Sequence, residues 1–231
     1  MSLNDPILPG PGGTDYERYL RTDELLSLQK TSSDWRHRDE LLFQTIHQTS
    51  ELWLKLACEE IATATRRIAG DDVVGAVRLM RRAVDALDIV TQNTRQLTHI
   101  APWDYRAVRL SLGHGSGFDS PGFRKTHELS PSLGDAFTQL LARRGVQLLA
   151  LYQDTAANED LFLLAERLLD WDERLIFWRG LHLKMVERII GGHVIGTQGT
   201  PVEVLAKRID VRYFPELWDV RNELTGLTTG H

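Results

Sequence analysis

The sequence predicts an all-α fold, a single-domain helical bundle, and three observations predict it. Apolar residues recur at three- and four-residue spacing over long stretches. No stretch of any length alternates with the two-residue period of a strand. Glycine and proline gather in clusters that separate the periodic stretches. The 231 residues suffice for one large domain or two small ones. No repeat of about 20 to 50 residues divides them. The expected organisation is a flexible tail over residues 1–13 and one domain over 14–231.

Composition narrows the class further. A hydrophobic content of 42% with 26% charged residues is that of a globular protein and argues against a disordered chain. No apolar run approaches the roughly 18 residues of a membrane span, and the polar N-terminus lacks the basic and apolar start of a signal peptide. The lone Cys58 excludes an internal disulfide framework. The expected setting is cytoplasmic, without membrane contact. A net charge of −5 argues against nucleic acid as a partner. Arg66, Arg67, Arg78, Arg81 and Arg82 are interleaved with acidic residues, as on solvated helix faces or a subunit contact.

Taken in order, residues 1–13 hold the run PGPGG and no apolar period, hence the tail. Residues 14–29 are a short amphipathic stretch in which Tyr16, Tyr19 and Leu20 share a face. Asp34 is the expected cap of a helix over 35–69, long enough to span the domain. Gly70, Asp71 and Asp72 end it and cap a second helix over 72–99, packed antiparallel to the first. Pro102 breaks the chain before a short helix over 103–112. The segment GHGSGFDSPGF, 113–123, holds four glycines and a proline and is expected to be a loop that closes over something. Ser130-Pro131 reads as a cap followed by proline in the first helical position, starting a helix that runs to 144. More helix is expected up to 152 and over 159–168. Asp170 and Glu173 then form a capping-box-like start to a long helix that stops at Gly191-Gly192. A second glycine loop and a terminal helix near 215–224 complete the chain.

The chemistry begins on that long helix. Leu175, Trp178, His182, Met185 and Ile189 share one face, so an imidazole lies in an apolar stripe. A core histidine bonded to a carbonyl is one explanation; a ligand to a metal or a haem iron is the other. The helix over 35–69 offers a second such histidine in FQTIHQTSELWLKL, where Phe43 and His47 are four apart and Ser50 and Leu54 continue the face. Two such helices can line one cavity, with one imidazole on iron and the other opposite it as a hydrogen-bond partner. Tyr105 and Arg109 are also four apart, and an inward arginine demands an anion such as a ligand carboxylate. No histidine has a glutamate three residues before it, as a di-iron bundle requires. No Cys/His cluster has zinc spacing. Haem is therefore the favoured metal group. Cys58, His99, His114, His127 and His193 are taken as structural or solvent-facing.

Several blocks resemble the tryptophan 2,3-dioxygenase family, the haem enzymes that open the indole ring of tryptophan. They are DYERYLRTDELLSLQ, FQTIHQTSELWLKL, DYRAVRLSLGHGSGF, FWRGLHLKMVERIIG and the GT loop after it, in the family's order over residues 14–200. The resemblance implies an all-α bundle enclosing a haem b pocket, with O2 as co-substrate and N-formylkynurenine as product. It implies His182 as proximal haem ligand, with Trp178 and Ser116 beside the cofactor. It implies His47 as the distal histidine that meets the indole N–H, Phe43 against the substrate ring, and Tyr105 and Arg109 at the substrate carboxylate. Thr197 matches a threonine that closes on the amino acid. Tyr16, Tyr19 and Leu20 match a segment that reaches a neighbouring subunit's pocket, as in a homotetramer. Departures lie partly around the pocket. Thr94 stands where the family usually has tryptophan, Asp119 where glutamine is common, and the loop reads GTQGT. They bear on the substrate, for which the alternative is a substituted tryptophan or another aromatic amino acid of specialised metabolism.

Overall fold

Four long helices carry the fold of this computed structural model, which describes residues 5–194 and 202–229. They are α3 (Asp39–Ala69), α4 (Val73–Arg95), α6 (Pro121–Arg144) and α8 (Glu159–Ile190). Two short helices precede them, α1 (Asp15–Leu20) and α2 (Thr22–Ser27). The others are α5 (Pro102–Ser111), α7 (Leu148–Gln153), α9 (Glu203–Ala206) and α10 (Pro215–Thr229). No strand occurs among the described residues, so the fold is all-α. No described helix is long and apolar enough to cross a membrane.

The core forms where the stripes of the long helices meet. Leu54, Ile61 and Ile68 of α3, Met80 and Leu87 of α4, Leu133 and Phe137 of α6, and Leu164, Leu168 and Trp171 of α8 are buried together. A second, smaller cluster of Ile46, Leu97, Ile100, Met185 and Ile189 lies toward the other ends of α3 and α8. Arg144 ties the first cluster's end of the bundle, donating to both carboxylate oxygens of Asp71 at 3.1 Å and to Asp160 at 2.8 Å. The arginine-rich faces of α3 and α4 are partly paired, with Arg82 on Glu60 and Arg67 on Asp72.

Three helix starts differ from the sequence expectation. The stretches over 159–168 and from 170 onward are one helix, α8, because Leu164, Leu168, Trp171 and Leu175 bury one continuous stripe across Asp170. Asp170 sits mid-helix, paired with Arg167 at 2.8 Å. Helix α6 starts at Pro121: Ser120 caps it by accepting from the Phe123 N–H at 3.2 Å, and proline takes the first helical position. Pro131 lies inside α6, where an interior proline costs roughly 3 kcal/mol. Burial of Leu133 and Phe137 beyond it, and the Trp171 indole donating to Ser130 Oγ at 3.0 Å, hold the helix together. Helix α3 starts at Asp39, while Asp34 instead accepts from Thr31 Oγ1 at 2.7 Å within a turn.

The buried Glu40 explains that later start of α3. Its carboxylate accepts from the backbone N–H groups of Arg36 at 2.6 Å and His37 at 3.3 Å, and pairs with Lys30 at 2.7 Å. Burial alone would raise its pKa; the Lys30 ammonium and the two N–H donors outweigh it and bring the value down to about 2. A depressed carboxylate contributes stability that is complete above its unfolded pKa, about 4.3, and is lost as pH falls toward the folded value. Glu40→Gln is therefore expected to flatten the fall of thermal midpoint between about pH 4.3 and pH 2. An unchanged acid profile would remove Glu40 from that role.

The first segment folds back on α1. The Ile7 and Leu8 N–H groups donate to Asp15, and Arg18 donates to the Leu8 and Gly12 carbonyls. Beyond it, α1 and α2 leave Tyr16, Tyr19 and Leu26 largely exposed. At the other end, the buried Asp172 of α8 accepts from the Tyr213 N–H at 3.1 Å and from the Trp218 indole at 3.0 Å, fixing the start of α10.

Candidate active site

The stripe of α8 opens into a cavity of about 500 Å³ between the two apolar clusters. Leu175, Trp178, His182, Met185 and Ile189 all line it. Facing them are Phe43 and His47 of α3, Tyr105 and Arg109 of α5, and Ser116 of the loop before α6. The structure thus brings together eight of the residues singled out by sequence: Phe43, His47, Tyr105, Arg109, Ser116, Trp178, His182 and, through Trp178, Thr94. Tyr16, Tyr19 and Leu20 are not among the residues of this wall; they are exposed on α1. Thr197 lies outside the described residues.

His47 has a defined tautomer. Its Nδ1 lies 2.7 Å from the Phe43 carbonyl, which can only accept, so the ring proton is on Nδ1 and Nε2 carries the lone pair. The ring opens into the pocket, and desolvation there lowers its pKa against the opposing pull of the Phe43 carbonyl and Glu51. His47 stacks on Phe43 at 4.0 Å, and Tyr105 stands 6.1 Å from the Phe43 ring. Burial raises the Tyr105 pKa, with Arg109 opposing, so the phenol keeps its proton.

His182 is held from behind. Its ring lies parallel to Trp178, 8° between planes and 5.0 Å between centroids, and Phe123 stacks on Trp178's ring at 3.7 Å. The Trp178 indole donates to Thr94 Oγ1 at 3.1 Å, and that hydroxyl donates to the Val90 carbonyl at 2.9 Å. Thr94 thus fixes the plane against which the imidazole rests. Thr94→Val leaves the indole N–H without its acceptor. The expected cost is about 1–2 kcal/mol, a fall in thermal midpoint of about 2–4 °C per kcal/mol. Thr94→Ser should keep most of the stability, and equal midpoints for valine and serine would refute the bond's importance. Burial, then the proximity of His47, push His182 down to about 4. The imidazole is neutral at pH 7, with a lone pair to offer.

In front of His182, the backbone of Gly117 comes close. A Cβ on it would stand 3.8 Å from His182 Nε2, so glycine keeps a side chain out of the approach to that nitrogen. Gly122 is demanded more strongly: a Cβ there would meet Leu54 Cβ at 2.6 Å. That contact seats the start of α6 against α3, where Glu51 accepts from the Gly122 N–H at 3.0 Å and from Ser120 Oγ. A neutral imidazole donor, apolar walls and a cavity of this size fit a haem.

The wall also contains residues the sequence reading did not single out. Glu51 is one turn from His47, so helical spacing could have found it. Phe123 ends the segment 113–123 expected to be loop, and Arg124 follows it. His127, taken as structural or solvent-facing, lines the pocket, as do Arg179 and Arg208.

Fold and site together define an all-α protein whose two neutral imidazoles share one cavity shaped for a large, mainly apolar guest. A family model described as tryptophan 2,3-dioxygenase matches residues 9–135 and 124–224. A tryptophan 2,3-dioxygenase of Caulobacter vibrioides is 38% identical, over an alignment covering 90% of this chain and 98% of the relative. Those of Myxococcus xanthus and Bacillus thuringiensis are each 34% identical, covering 93% and 90% of this chain and 91% and 92% of themselves. The chain belongs to the tryptophan 2,3-dioxygenase family, which makes it an oxidoreductase of the haem-dependent dioxygenase type.

Proposed function

We propose that the chain opens the indole ring of L-tryptophan with O2 to give N-formylkynurenine, using haem b held by His182. The observation that carries this reading is the pairing, in one cavity of a chain of this family, of a neutral His182 with a His47 whose free lone pair is on Nε2. Haem, when bound, supplies the O2 chemistry. The residues supply position. His47 Nε2 accepts the indole N–H, Phe43 packs on the ring, and Arg109 with the Tyr105 hydroxyl takes the amino-acid carboxylate. Met185, Ile189 and Leu97 keep water from the ring. Thr197, which matches the family's threonine at this place in the sequence, is the further partner of the amino acid. The exposed Tyr16, Tyr19 and Leu20 are surfaces for a neighbouring subunit's pocket, as a homotetramer provides. Residues 14–231 form the catalytic unit.

The test is to supply reduced, haem-loaded protein with O2 and L-tryptophan and follow N-formylkynurenine absorbance. No product from tryptophan, with turnover of a substituted tryptophan, would move the assignment to that substrate. Arg109→Ala is expected to raise KM for tryptophan on the order of 30-fold or more, as loss of one partner of an enclosed charge pair does. An unchanged KM would take the carboxylate away from Arg109.

A further inference from the structure

We infer that Glu51 is a positioning residue for the reaction: it ties the helix of His47 to the first turn of α6, and through that turn sets the width of the cavity between the two imidazoles. The inference rests on the haem and tryptophan reading above and adds to it a residue that acts through others.

Glu51 lies on α3 four residues beyond His47, so the two side chains leave the helix on one face. Its charge is felt at His47, whose pKa it pulls upward. The carboxylate lines the cavity, yet both of its oxygens are taken up by α6. One accepts from Ser120 Oγ and the other from the Gly122 N–H at 3.0 Å. Both donors belong to the start of that helix, where a carboxylate also meets the positive end of the helix dipole. Glycine at 122 lets the two helices close: a Cβ there would stand 2.8 Å from the Glu51 carboxylate and 2.6 Å from Leu54 Cβ.

The first turn of α6 passes the position on. Ser120 Oγ accepts from the Phe123 N–H at 3.2 Å, the Phe123 ring stacks on Trp178, and Trp178 lies parallel to the His182 ring. One route of contacts thus runs from the turn after His47 to the plane behind His182. The segment before α6 is joined to the same tie. It closes on itself, with Ser116 Oγ accepting from the Phe118 N–H at 3.3 Å and Asp119 from the Ser116 N–H at 2.9 Å, so it is carried by Ser120 as one piece. Tyr105 and Arg109 sit on α5, apart from this route. The tie therefore governs how the guest's ring faces the cofactor more than how its carboxylate is held. A displacement of about 1 Å at such a site can cost on the order of a hundredfold in rate.

The test makes Glu51→Ala and Glu51→Gln and reads haem content, kcat, KM for L-tryptophan and the C–O stretch of the ferrous protein under carbon monoxide. Glu51→Ala is expected to keep its haem, to lose about tenfold or more in kcat, and to change KM by less than about threefold. Its C–O stretch should shift or broaden, because the open face of the cavity is no longer held at one width. Glu51→Gln keeps one acceptor oxygen and should fall between; it decides the matter if the alanine variant does not fold. Ser120→Ala should lower kcat in the same direction, and by less than about twofold when added to Glu51→Ala, since both remove one tie. A folded Glu51 variant with parental kcat, KM and C–O stretch would overturn the inference even if its thermal midpoint had fallen, as would full additivity of the two substitutions. In the apoprotein, the Gly122 and Phe123 amide protons should exchange about tenfold or more faster in Glu51→Ala. Equal exchange would overturn the tie whatever the fate of the haem reading, whereas a parent protein that binds no haem would sink that reading instead.

Discussion

Replacing His182 with alanine is expected to abolish, or reduce to a small remnant, the Soret band of the purified protein. The side chain meets the conditions for an axial ligand: it lines the cavity, is neutral, is backed by the Trp178 plane, and is faced by a glycine in place of a side chain. A structural histidine would be satisfied by a hydrogen bond, whereas a ligand histidine leaves a vacancy that free imidazole can fill. Adding imidazole to His182→Ala with hemin should therefore restore a Soret band. His47→Ala should keep the band at parental intensity, since His47 is the partner of the guest's N–H. A His182→Ala protein with an undiminished Soret band would transfer the ligand role to His47 or His127, the other histidines on the wall.

Asp172→Ala is expected to be the most damaging substitution for stability. Asp172 is wholly buried, yet its carboxylate receives the N–H groups of Tyr213 and Phe214 and the Trp218 indole. Alanine strands these donors in the interior, at an expected cost on the order of 3–5 kcal/mol. Denaturant unfolding of the apoprotein measures it. Asp172→Asn, which keeps one acceptor oxygen, should fall between the two. Because Tyr213 also holds Arg179 and His127, the loss should loosen the α6 wall of the pocket as well. A change below about 1 kcal/mol would mean that water reaches these donors.

The parts of the site that lie on helices were legible because helical spacing is a strict rule. Phe43 with His47, Tyr105 with Arg109, and the stripe through His182 each follow it, and all line the cavity. Helix starts were less legible, because a cap signal is local and recurs. Ser120-Pro121 and Ser130-Pro131 carry the same signature; burial of the stripe beyond Pro131 decides between them, and burial is a property of the folded chain. Asp170 lost to the same force, as its neighbours' stripe runs through it. The basic wall was least legible. Arg208 belongs to no periodic stretch, and His127 acquires its place through Tyr213, distant in sequence. The Thr94 departure was visible, but its bond to Trp178 needed three dimensions.

Helix α8 is one unbroken rod whose first half is rooted among Leu161, Leu164, Leu168 and Trp171, and whose second half bears His182 about three turns further on. Such a rod acts as a lever arm. A small tilt at its root sweeps the imidazole through a proportionate arc. The bearing of the metal ligand is thus inherited from remote aliphatic contacts, and a conservative exchange there can detune the centre without touching it.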